Sequence, residues 1–488
     1  MSFIKKLDNS SSYRTNTKTV VINNQAYSAV SDSYSSIILS KTDASGGIFW
    51  KKKISIQNNS LIVRELLKFP NNELLLVVSN TNFKVTILRL TLSGDIVYQR
   101  TCFLNDYYLS DVKKVCILDN NEFCIVTEND TFLFFDSQGN LKDNLGKKLL
   151  IVAGLRPPYP ELSVTDVVFR NSQLVIVGTA TLYSSSSFIT SIPISNFNSN
   201  VYFFGENSTR INQVFVNPNN NIVLCGSHNG KPYFTAEFNI GNNILLVLSA
   251  NNVEGYLSSF TYNRNLNCFY FYKYSNVLLR EAELPNLQNS FSKVTSGFNR
   301  LWSKTLNIGG SIQELKLETT DNTIVLNSKS YNERLWGVLD SEFSLCKTSS
   351  TVEESFSPAS FLIDTNRPRQ VYFGTLNREY YMLPNFTLIF SDPTGADQDI
   401  CTVNYLSVIG SSLGKLFFDT QTNYNNAYVG NIQIRNSASF QVTINSGVIA
   451  TKNGLSFIIE GGNIGANSDR SFKVYVTGQT SQIGDNFS

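Results

Sequence analysis

Apolar runs follow short asparagine-rich turns again and again along this chain. One example is ILDNNEFCIV (Ile117–Val126), in which an Asn pair separates two apolar stretches. Such turns recur about every 49 residues, at Asn23, Asn71, Asn120, Asn171, Asn219, Arg264, Asp321 and Asn366. Asn and Asp tolerate the positive φ angles of tight hairpins, and the β-branched and aromatic runs after them are typical of strands. The pattern predicts a repeat whose second strand is buried on both faces.

A second turn follows most of the Asn turns by about 20 residues. It is rich in Gly, Ser and Asn, as in SKTDASGGIFWKKK (Ser40–Lys53) and RLTLSGDIVYQR (Arg89–Arg100). Two hairpins give four short strands per period, which is typical of a β-propeller blade. We predict an all-β chain with a propeller of about eight blades, seven being the alternative. Blade 1 is expected to supply all four of its own strands.

The Ser40–Lys53 segment resembles the blades of bacterial repeat propellers found in surface and particle-associated proteins. Those blades read LDxxGxxxWxK, followed by an NN turn and a run of apolar residues ending in Gly. The resemblance spans Thr17–Asp392 and implies the propeller fold. Only the first and sixth copies carry the Trp of the motif, at Trp50 and Trp302, and the fourth copy (Thr181–Phe204) lacks a clear Gly turn.

The period also sets the expected domain boundaries. Residues 1–19 precede the first repeat and are predicted to form a flexible arm, and the propeller is predicted over 20–392. The segment SDPTGADQDI (Ser391–Ile400) breaks the period with Pro, Gly and three Asp residues, which predicts a linker over 393–399. The order of those acids does not match a calcium-binding loop, so we assign no metal site there.

Residues 400–488 are predicted to form a second unit. The segments SFQVTINSG (Ser439–Gly447) and SFKVYVTGQ (Ser471–Gln479) alternate apolar and polar residues, which is typical of strands with one face in a core. Six or seven antiparallel strands are expected in all. The unit resembles the small immunoglobulin-like sandwiches attached to bacterial and phage surface proteins, which implies a spacer, a dock or an oligomerisation unit.

Composition narrows the possible roles. The 488 residues include 40 basic and 38 acidic ones, and a net charge of +2 is too small to attract nucleic acid or anionic lipid. No apolar stretch is long enough for a membrane helix, and the first 19 residues lack the apolar core of a secretion signal. We expect synthesis in the cytoplasm without a signal peptide, and no membrane insertion. The seven Cys residues show no disulfide-like spacing and are expected to be buried thiols.

Candidate catalytic chemistry is sparse. His228 is the only histidine, so a His-rich zinc site cannot form and a Ser-His-Asp triad would depend on this residue alone. The sequence from Asp43 to Gly46 is one residue too long for the Asp box of sialidases. No pair of acids can be placed in a glycosidase pocket from sequence. We therefore assign no catalytic, cofactor or metal residues.

The most aromatic segment is NCFYFYKYSN (Asn267–Asn276). Strand alternation places Tyr270, Tyr272 and Tyr274 on one face. These tyrosines either pack between blades or form a platform for a sugar or a partner protein.

Three functions remain open. The first is a non-enzymatic structural and recognition protein that contacts other subunits of an assembly or a surface receptor, in a phage tail or a phage-tail-like injection particle released from the cell. The second is a secreted or surface adhesin that binds glycans. The third is a propeller glycosidase, against which the missing catalytic constellation argues. An oligomer is compatible with the first.

Overall fold

The computed structural model divides the chain into two compact units, Met1–Thr402 and Val403–Ser488. It describes residues 3–7, 15–33, 35–56, 61–79, 84–103, 111–151, 161–182, 184–204, 210–228, 231–239, 244–251, 256–274, 289–295, 300–306, 315–320, 323–330, 335–340, 348–349, 355–359, 363–384, 387–391, 397–402, 406–412, 422–436, 441–452, 454–465 and 468–479. The described chain is almost entirely β-strand. Its single helical element is the 3-10 turn Asp119–Asn121, and no helix in these ranges could span a bilayer.

Unit 1 is a β-propeller. Among the described residues, strand pairing forms seven four-stranded antiparallel ladders, which is the alternative count and not the predicted eight. Strand β1 is Phe3–Leu7. The blades are blade 1 (β2 Thr15–Ile22, β3 Gln25–Ser33, β4 Ser36–Thr42, β5 Ile48–Ile56), blade 2 (β6 Ile62–Phe69, β7 Glu73–Ser79, β8 Lys84–Leu90, β9 Ile96–Phe103), blade 3 (β10 Val112–Ile117, β11 Phe123–Thr127, β12 Thr131–Phe135, β13 Leu145–Ile151), blade 4 (β14 Glu161–Arg170, β15 Gln173–Leu182, β16 Ser184–Pro193, β17 Asn198–Phe204), blade 5 (β18 Arg210–Val216, β19 Ile222–His228, β20 Lys231–Asn239, β21 Ile244–Asn251), blade 6 (β22 Tyr256–Asn263, β23 Cys268–Tyr274, β24 Asn289–Thr295, β25 Arg300–Leu306) and blade 7 (β26 Leu315–Thr320, β27 Thr323–Ser330, β28 Leu335–Asp340, then β1).

The N-terminal strand closes the ring. Strand β1 pairs antiparallel with β28, so it is the fourth strand of blade 7. Phe3 is fully buried between blades 7 and 1, and its ring meets Trp336 edge-on at a centroid distance of 5.3 Å. The prediction of a flexible arm over 1–19 is therefore wrong for its described parts, because residues 3–7 and 15–19 lie in blade strands. Blade 1 does supply all four of its own strands, as predicted.

The Asn turns have the predicted hairpin geometry. Asn23 and Asn24 have φ angles of 51° and 59°, and the pairs at Asn71 and Asn120 are similar. Two successive residues with positive φ make the type I′ turn that suits the twist of two-residue hairpins. The described parts of the strands after the first seven turns are mostly buried, as Ile176 in β15 shows with no exposed surface. The first seven turns each join the first two strands of a blade.

The Gly turns of blades 1, 2 and 3 contact the preceding blade. Gly94 has a φ of 79° in the turn before β9, and its bare Cα faces the ring of Trp50 from blade 1. The same contact recurs at two other junctions, where Gly46 meets Phe3 and Gly139 meets Tyr98. At these three junctions an aromatic residue on the fourth strand of one blade packs onto the glycine of the next blade. The Gly and the Trp of the sequence motif therefore contact different neighbours: Gly46 contacts blade 7, and Trp50 contacts blade 2.

Placing a methyl group at Gly94 tests this contact. It would lie 2.8 Å from Cη2 of Trp50, on a backbone conformation that side chains resist. We expect Gly94→Ala to lower the free energy of unfolding by about 1–3 kcal/mol, measured by urea denaturation. In a Trp50→Leu background the clash is gone, so the cost should fall to about 1 kcal/mol from the positive φ alone. Equal costs in both backgrounds would contradict the packing explanation.

After blade 7 the chain runs back around the ring. Six strands between residues 348 and 402, named here the outer belt, add a fifth strand to every blade in reverse order. They are β29 (Thr348–Ser349) on blade 6, β30 (Ser355–Ala359) on blade 5, β31 (Ile363–Glu379) on blades 4 and 3, β32 (Tyr381–Leu383) on blade 2, β33 (Leu388–Ser391) on blade 1 and β34 (Asp397–Thr402) on blade 7. The predicted eighth repeat lies on β31, and the described part of the predicted linker 393–399 belongs to β34. The predicted boundary near 400 corresponds to the division after Thr402.

Large side chains anchor the belt at junctions between blades. Phe373 is buried among Phe132 and Phe134 of blade 3 and Phe197, which precedes the last strand of blade 4, with centroid distances of 4.7, 6.1 and 5.4 Å. Tyr380 is buried in the core shared by blades 2 and 3, and Leu388 packs against the core shared by blades 1 and 2. The belt therefore adds burial as well as backbone hydrogen bonds.

Truncating one anchor measures what the belt contributes. Phe373→Ala should lower the free energy of unfolding by about 3–5 kcal/mol, because it leaves a cavity between two blades. Tyr372→Ala is the matched control, since its side chain is 36% exposed on the same strand. We expect a change of about 0.5 kcal/mol for the control in chemical denaturation. If the two variants unfold alike, Phe373 is not an anchor.

Unit 2 is built from two antiparallel sheets. The strands β35 (Leu406–Ser411), β36 (Tyr424–Asn436), β37 (Val442–Ile444), β38 (Gly447–Lys452), β39 (Leu455–Ile459), β40 (Gly462–Ile464) and β41 (Ser468–Gly478) form a five-stranded sheet in the order β35-β36-β41-β39-β38 and the pair β37-β40. The predicted alternation is confirmed at Phe472, Val474 and Val476, which are fully buried. Ile464 of the smaller sheet packs on Phe472, so the two sheets share a core.

The order of strands in unit 2 differs from that of an immunoglobulin domain. There the last strand lies in the sheet opposite the second strand, whereas here the last strand, β41, pairs directly with the second, β36. Pairing is nested, with β36 on β41, β37 on β40 and β38 on β39. Nesting of this kind is what a long hairpin produces when it rolls up, as in jelly rolls. The alternation of apolar and polar residues predicted the sandwich, but the strand order is not the immunoglobulin-like one that was expected.

Candidate functional site

The first strands of all seven blades line a central channel. A cavity of about 250 Å³ on this axis contacts at least one residue from each of β2, β6, β10, β14, β18, β22 and β26. Five consecutive first strands, β6 to β22, shift register against their second strand at the same place, as a β-bulge does. A bulge re-aims the next side chain. The residue after each shift is polar: Glu65, Lys114, Asp166, Gln213 and Ser259.

Charges alternate in sign around five of the seven blades. Lys18 Nζ of blade 1 lies 2.7 Å from Oε1 of Glu65 in blade 2 and 3.1 Å from Oε1 of Glu318 in blade 7. Lys114 Nζ of blade 3 lies 3.0 Å from Oδ1 of Asp166 in blade 4. The order from blade 7 to blade 4 is therefore negative, positive, negative, positive, negative. We call these five residues the charged arc.

Both lysines are held in the charged form. Burial lowers the pKa of Lys18, but the carboxylates of Glu318 and Glu65 outweigh it and raise the pKa above its ordinary value. Asp166 raises the pKa of Lys114, against the opposing effect of burial. Because these pKa values are higher in the folded chain, the stabilisation is complete below an unfolded-state value of about 10.4 and is lost only as pH rises through the folded-state values.

Blades 5 and 6 complete the channel with neutral side chains. Gln213 and Phe215 come from β18 and Thr261 from β22. In the charged arc, each carboxylate has a lysine partner, and Asp166 also accepts a hydrogen bond from the Val214 N–H at 3.0 Å. Among the described residues, no group of three His, Cys, Asp or Glu side chains could hold a metal. The ion pairs of the channel therefore join neighbouring blades.

A repeated pair of hydrogen bonds supports the channel at three junctions. Each pair is made by the backbone of one residue near the start of a first strand. Its N–H donates to a side chain of the preceding blade. Its carbonyl oxygen accepts a hydrogen bond from a second side chain of that same blade. The sets are Val63 with Ser31 and Asn16 (3.0 and 3.0 Å), Val164 with Asp130 and Lys113 (3.0 and 2.8 Å), and Ile211 with Ser187 and Thr165 (3.1 and 2.8 Å). The irregular backbone at the register shift is therefore satisfied by the neighbouring blade.

The residues singled out from sequence do not meet in a site. Tyr270 is completely buried, which excludes it from a surface platform and fits the packing interpretation. The side chains of Tyr272, Tyr274 and His228 lie outside the described residues, although their backbones are in strands. Five cysteines are confirmed as buried free thiols: Cys102, Cys116, Cys124, Cys225 and Cys268.

Sequence reasoning missed the charged arc, although the repeat contains it. Lys18, Glu65, Lys114 and Asp166 each lie five or six residues before an Asn turn. Each is a charged residue in the first strand of its blade. Aligning the repeats on their turns would have placed these residues at one level of the ring.

Unit 2 presents an apolar row on the face opposite its core. Tyr428, Tyr475, Ile458 and Val448 lie directly opposite one another across four adjacent strands. The two ends of the row are the most open, with Tyr428 55% and Val448 59% exposed. Contiguous exposed apolar residues of this kind are typical of contact surfaces between proteins.

No protein-family profile matches the chain, and no curated protein matches it. The chain is similar to solved propeller structures. These include the crystal structure of a mitotic checkpoint complex (10% identity, 66% of this chain and 85% of that chain, TM-score 0.41) and the Dos1 propeller (9%, 64% and 74%, 0.39). A third is YCF48 from Cyanidioschyzon merolae (9%, 70% and 99%, 0.38). Strand pairing within this chain carries the fold assignment.

Removing Lys18 tests the charged arc. Lys18→Met leaves Glu65 and Glu318 facing each other without a cation, which should cost about 3–5 kcal/mol in chemical denaturation. The deficit should shrink as pH falls, because the unpaired carboxylates gain protons more readily in the folded state. Lys52→Met is the control, since it breaks the exposed pair with Asp95 and should cost under about 1 kcal/mol. Similar losses in both variants would contradict a stabilising role for the arc.

Proposed function

We propose that this protein is a non-enzymatic structural and recognition protein, in which the propeller is a rigid platform for contacts with other proteins or a receptor. The observation that carries the proposal is the outer belt, which adds a fifth strand to each of the seven ladders. Separation of any two neighbouring blades would also strain this second circuit of the chain. A ring that the chain passes around twice is suited to holding surfaces in fixed positions.

The contacts of the channel support a structural role. Glycosidases use two carboxyl groups directly on the sugar, one as acid and one as base or nucleophile. In this channel Glu65 and Glu318 share Lys18, and Asp166 is bound to Lys114. Carboxylates held in this way join blades, which favours the platform over the glycosidase.

Unit 2 is proposed as the dock. Its apolar row from Tyr428 to Val448 offers aromatic and aliphatic side chains on one face of the sheet, and such residues are common at the centre of interfaces. The row is interrupted by no charged residue. A partner covering it would remove the exposed part of Tyr428 and Val448 from water.

We further propose a setting in a released particle, as an accessory or fibre-like component of a phage tail or a phage-tail-like contractile injection particle. The support is the resemblance of the Ser40–Lys53 segment to blades of surface and particle-associated propellers. A glycan-binding adhesin at the cell surface is the alternative.

The experiment is to purify the full chain from its own host and measure native mass alongside negative-stain images. We expect co-purification with a particle or a defined oligomer. The double variant Tyr428→Ser/Val448→Ser should reduce recovery in that assembly about tenfold or more, because it removes apolar contact area. Thermal unfolding of the variant should match that of the wild type.

Val97→Ser is the control for this experiment, because Val97 is an exposed strand residue of the propeller, 46% exposed and far from unit 2 in sequence. It should assemble like the wild type. A wild-type protein that is always a lone monomer would contradict the platform in an assembly. Normal assembly of the double variant would contradict unit 2 as the dock.

A further inference from the structure

A second cavity lies at the junction of blades 4 and 5, away from the channel. Its volume is about 270 Å³, just below the usual range for small-molecule pockets. Blade 4 contributes residues from β15, β16 and β17, and blade 5 contributes Phe238 from β20. None of the described residues that line it is charged.

Neutral polar groups line one side of this cavity. Asn198 and Asn200 are two residues apart on β17 and therefore project from the same face of the strand. Both asparagines are exposed, and each side-chain amide offers two N–H donors and one acceptor oxygen. Ser191 donates to Oε1 of Gln173 at 2.5 Å, which leaves the amide N–H groups of Gln173 for another acceptor.

The same face of β17 continues with an aromatic ring, because Tyr202 follows Asn200 by two residues. Tyr202 and Phe238 lie 6.1 Å apart between centroids, with their planes at 61°. Phe238 of blade 5 is buried, so its ring supports the partly exposed ring of Tyr202 in blade 4 from across the junction. An aromatic face gives a ligand an apolar contact surface.

The backbone beneath these groups is held in place. Thr190 donates its hydroxyl to the carbonyl of Asn200 at 2.9 Å, and Ser199 donates to the carbonyl of Ser191. The amides of Asn198 and Asn200 therefore project from a strand that is tied on both sides, by its sheet partners and by these side chains. A pre-formed arrangement lowers the ordering cost of binding.

We propose that this cavity binds one neutral sugar unit. A sugar ring presents adjacent hydroxyl groups, each a donor and an acceptor, and also an apolar C–H face. Amides match the hydroxyls and an aromatic ring matches the C–H face, whereas the described lining residues offer a charged ligand no counter-charge. The inference stands independently of the platform role, because it concerns a junction within the propeller and no partner protein.

The test is binding of methyl glycosides to the full chain, followed by saturation-transfer NMR and calorimetry. The panel contains methyl glucoside, galactoside, mannoside and N-acetylglucosaminide, with glucuronate and glucosamine as charged counterparts. At least one neutral glycoside should bind, with a Kd on the order of 1 mM. Asn198→Ala and Asn200→Ala should each weaken it about tenfold, the loss of one hydrogen bond.

Asn219→Ala is the matched control, because Asn219 is an exposed asparagine in a turn of blade 5. It should bind like the wild type, and all variants should keep the wild-type unfolding midpoint, which separates loss of binding from loss of fold. Absence of binding by every neutral glycoside, or binding only of the charged sugars, overturns the proposal. Unchanged affinity in both cavity variants also overturns it.

A glycan array with the wild type and Asn200→Ala separates a free sugar from the end of a longer glycan. Array signals that Asn200→Ala weakens identify a glycan terminus as the source. No array signal, with glycoside binding retained in solution, identifies a free sugar. Array signals that are equal in the two proteins count against this cavity as the site.

Discussion

Ring closure is the constraint on which the rest of this propeller depends. Neighbouring blades from 1 to 7 are continuous in the chain, but the junction between blades 7 and 1 must be made by contacts. Strand β1 makes it, with backbone pairing to β28 and with Phe3 buried between the two blades. Pairing of Thr15 and Asn16 with β27 adds a direct link between blades 1 and 7. A ring whose termini meet in one blade cannot open without losing that core.

The outer belt imposes a second closure on the same ring. It ends as β34, which pairs with β1, so the first and last strands of unit 1 lie side by side. Between its ends, Phe373, Tyr380 and Leu388 are inserted at successive junctions. The inner circuit forms cores that neighbouring blades share, and the belt adds a large side chain to three of them. Cooperative unfolding of unit 1 follows from this double connection.

The sequence was informative wherever structure is local. Asn pairs such as Asn23-Asn24 tolerate the positive φ that tight hairpins need, and Gly94 combines positive φ with contact to a ring, so turns and strands were predictable. Strand β1 was not, because its five residues carry no turn and pair with a segment more than 300 residues away. The belt was missed for the same reason, since edge strands such as β33 are half exposed and follow no period. The charged residues of the channel can be read from the sequence, but the sequence does not show which of them pair across blades.

The pattern of charges in the channel follows from the geometry of an odd ring. Opposite charges on neighbouring blades attract, but seven positions cannot alternate in sign all the way round without placing two like charges together. Here the alternation begins at Glu318 and ends at Asp166, which are both negative. Blades 5 and 6 lie between these ends and supply Gln213 and Thr261, which carry no charge. These two uncharged side chains therefore separate the carboxylates of Glu318 and Asp166. The channel combines its ion pairs with an uncharged side and so avoids placing two like charges on neighbouring blades.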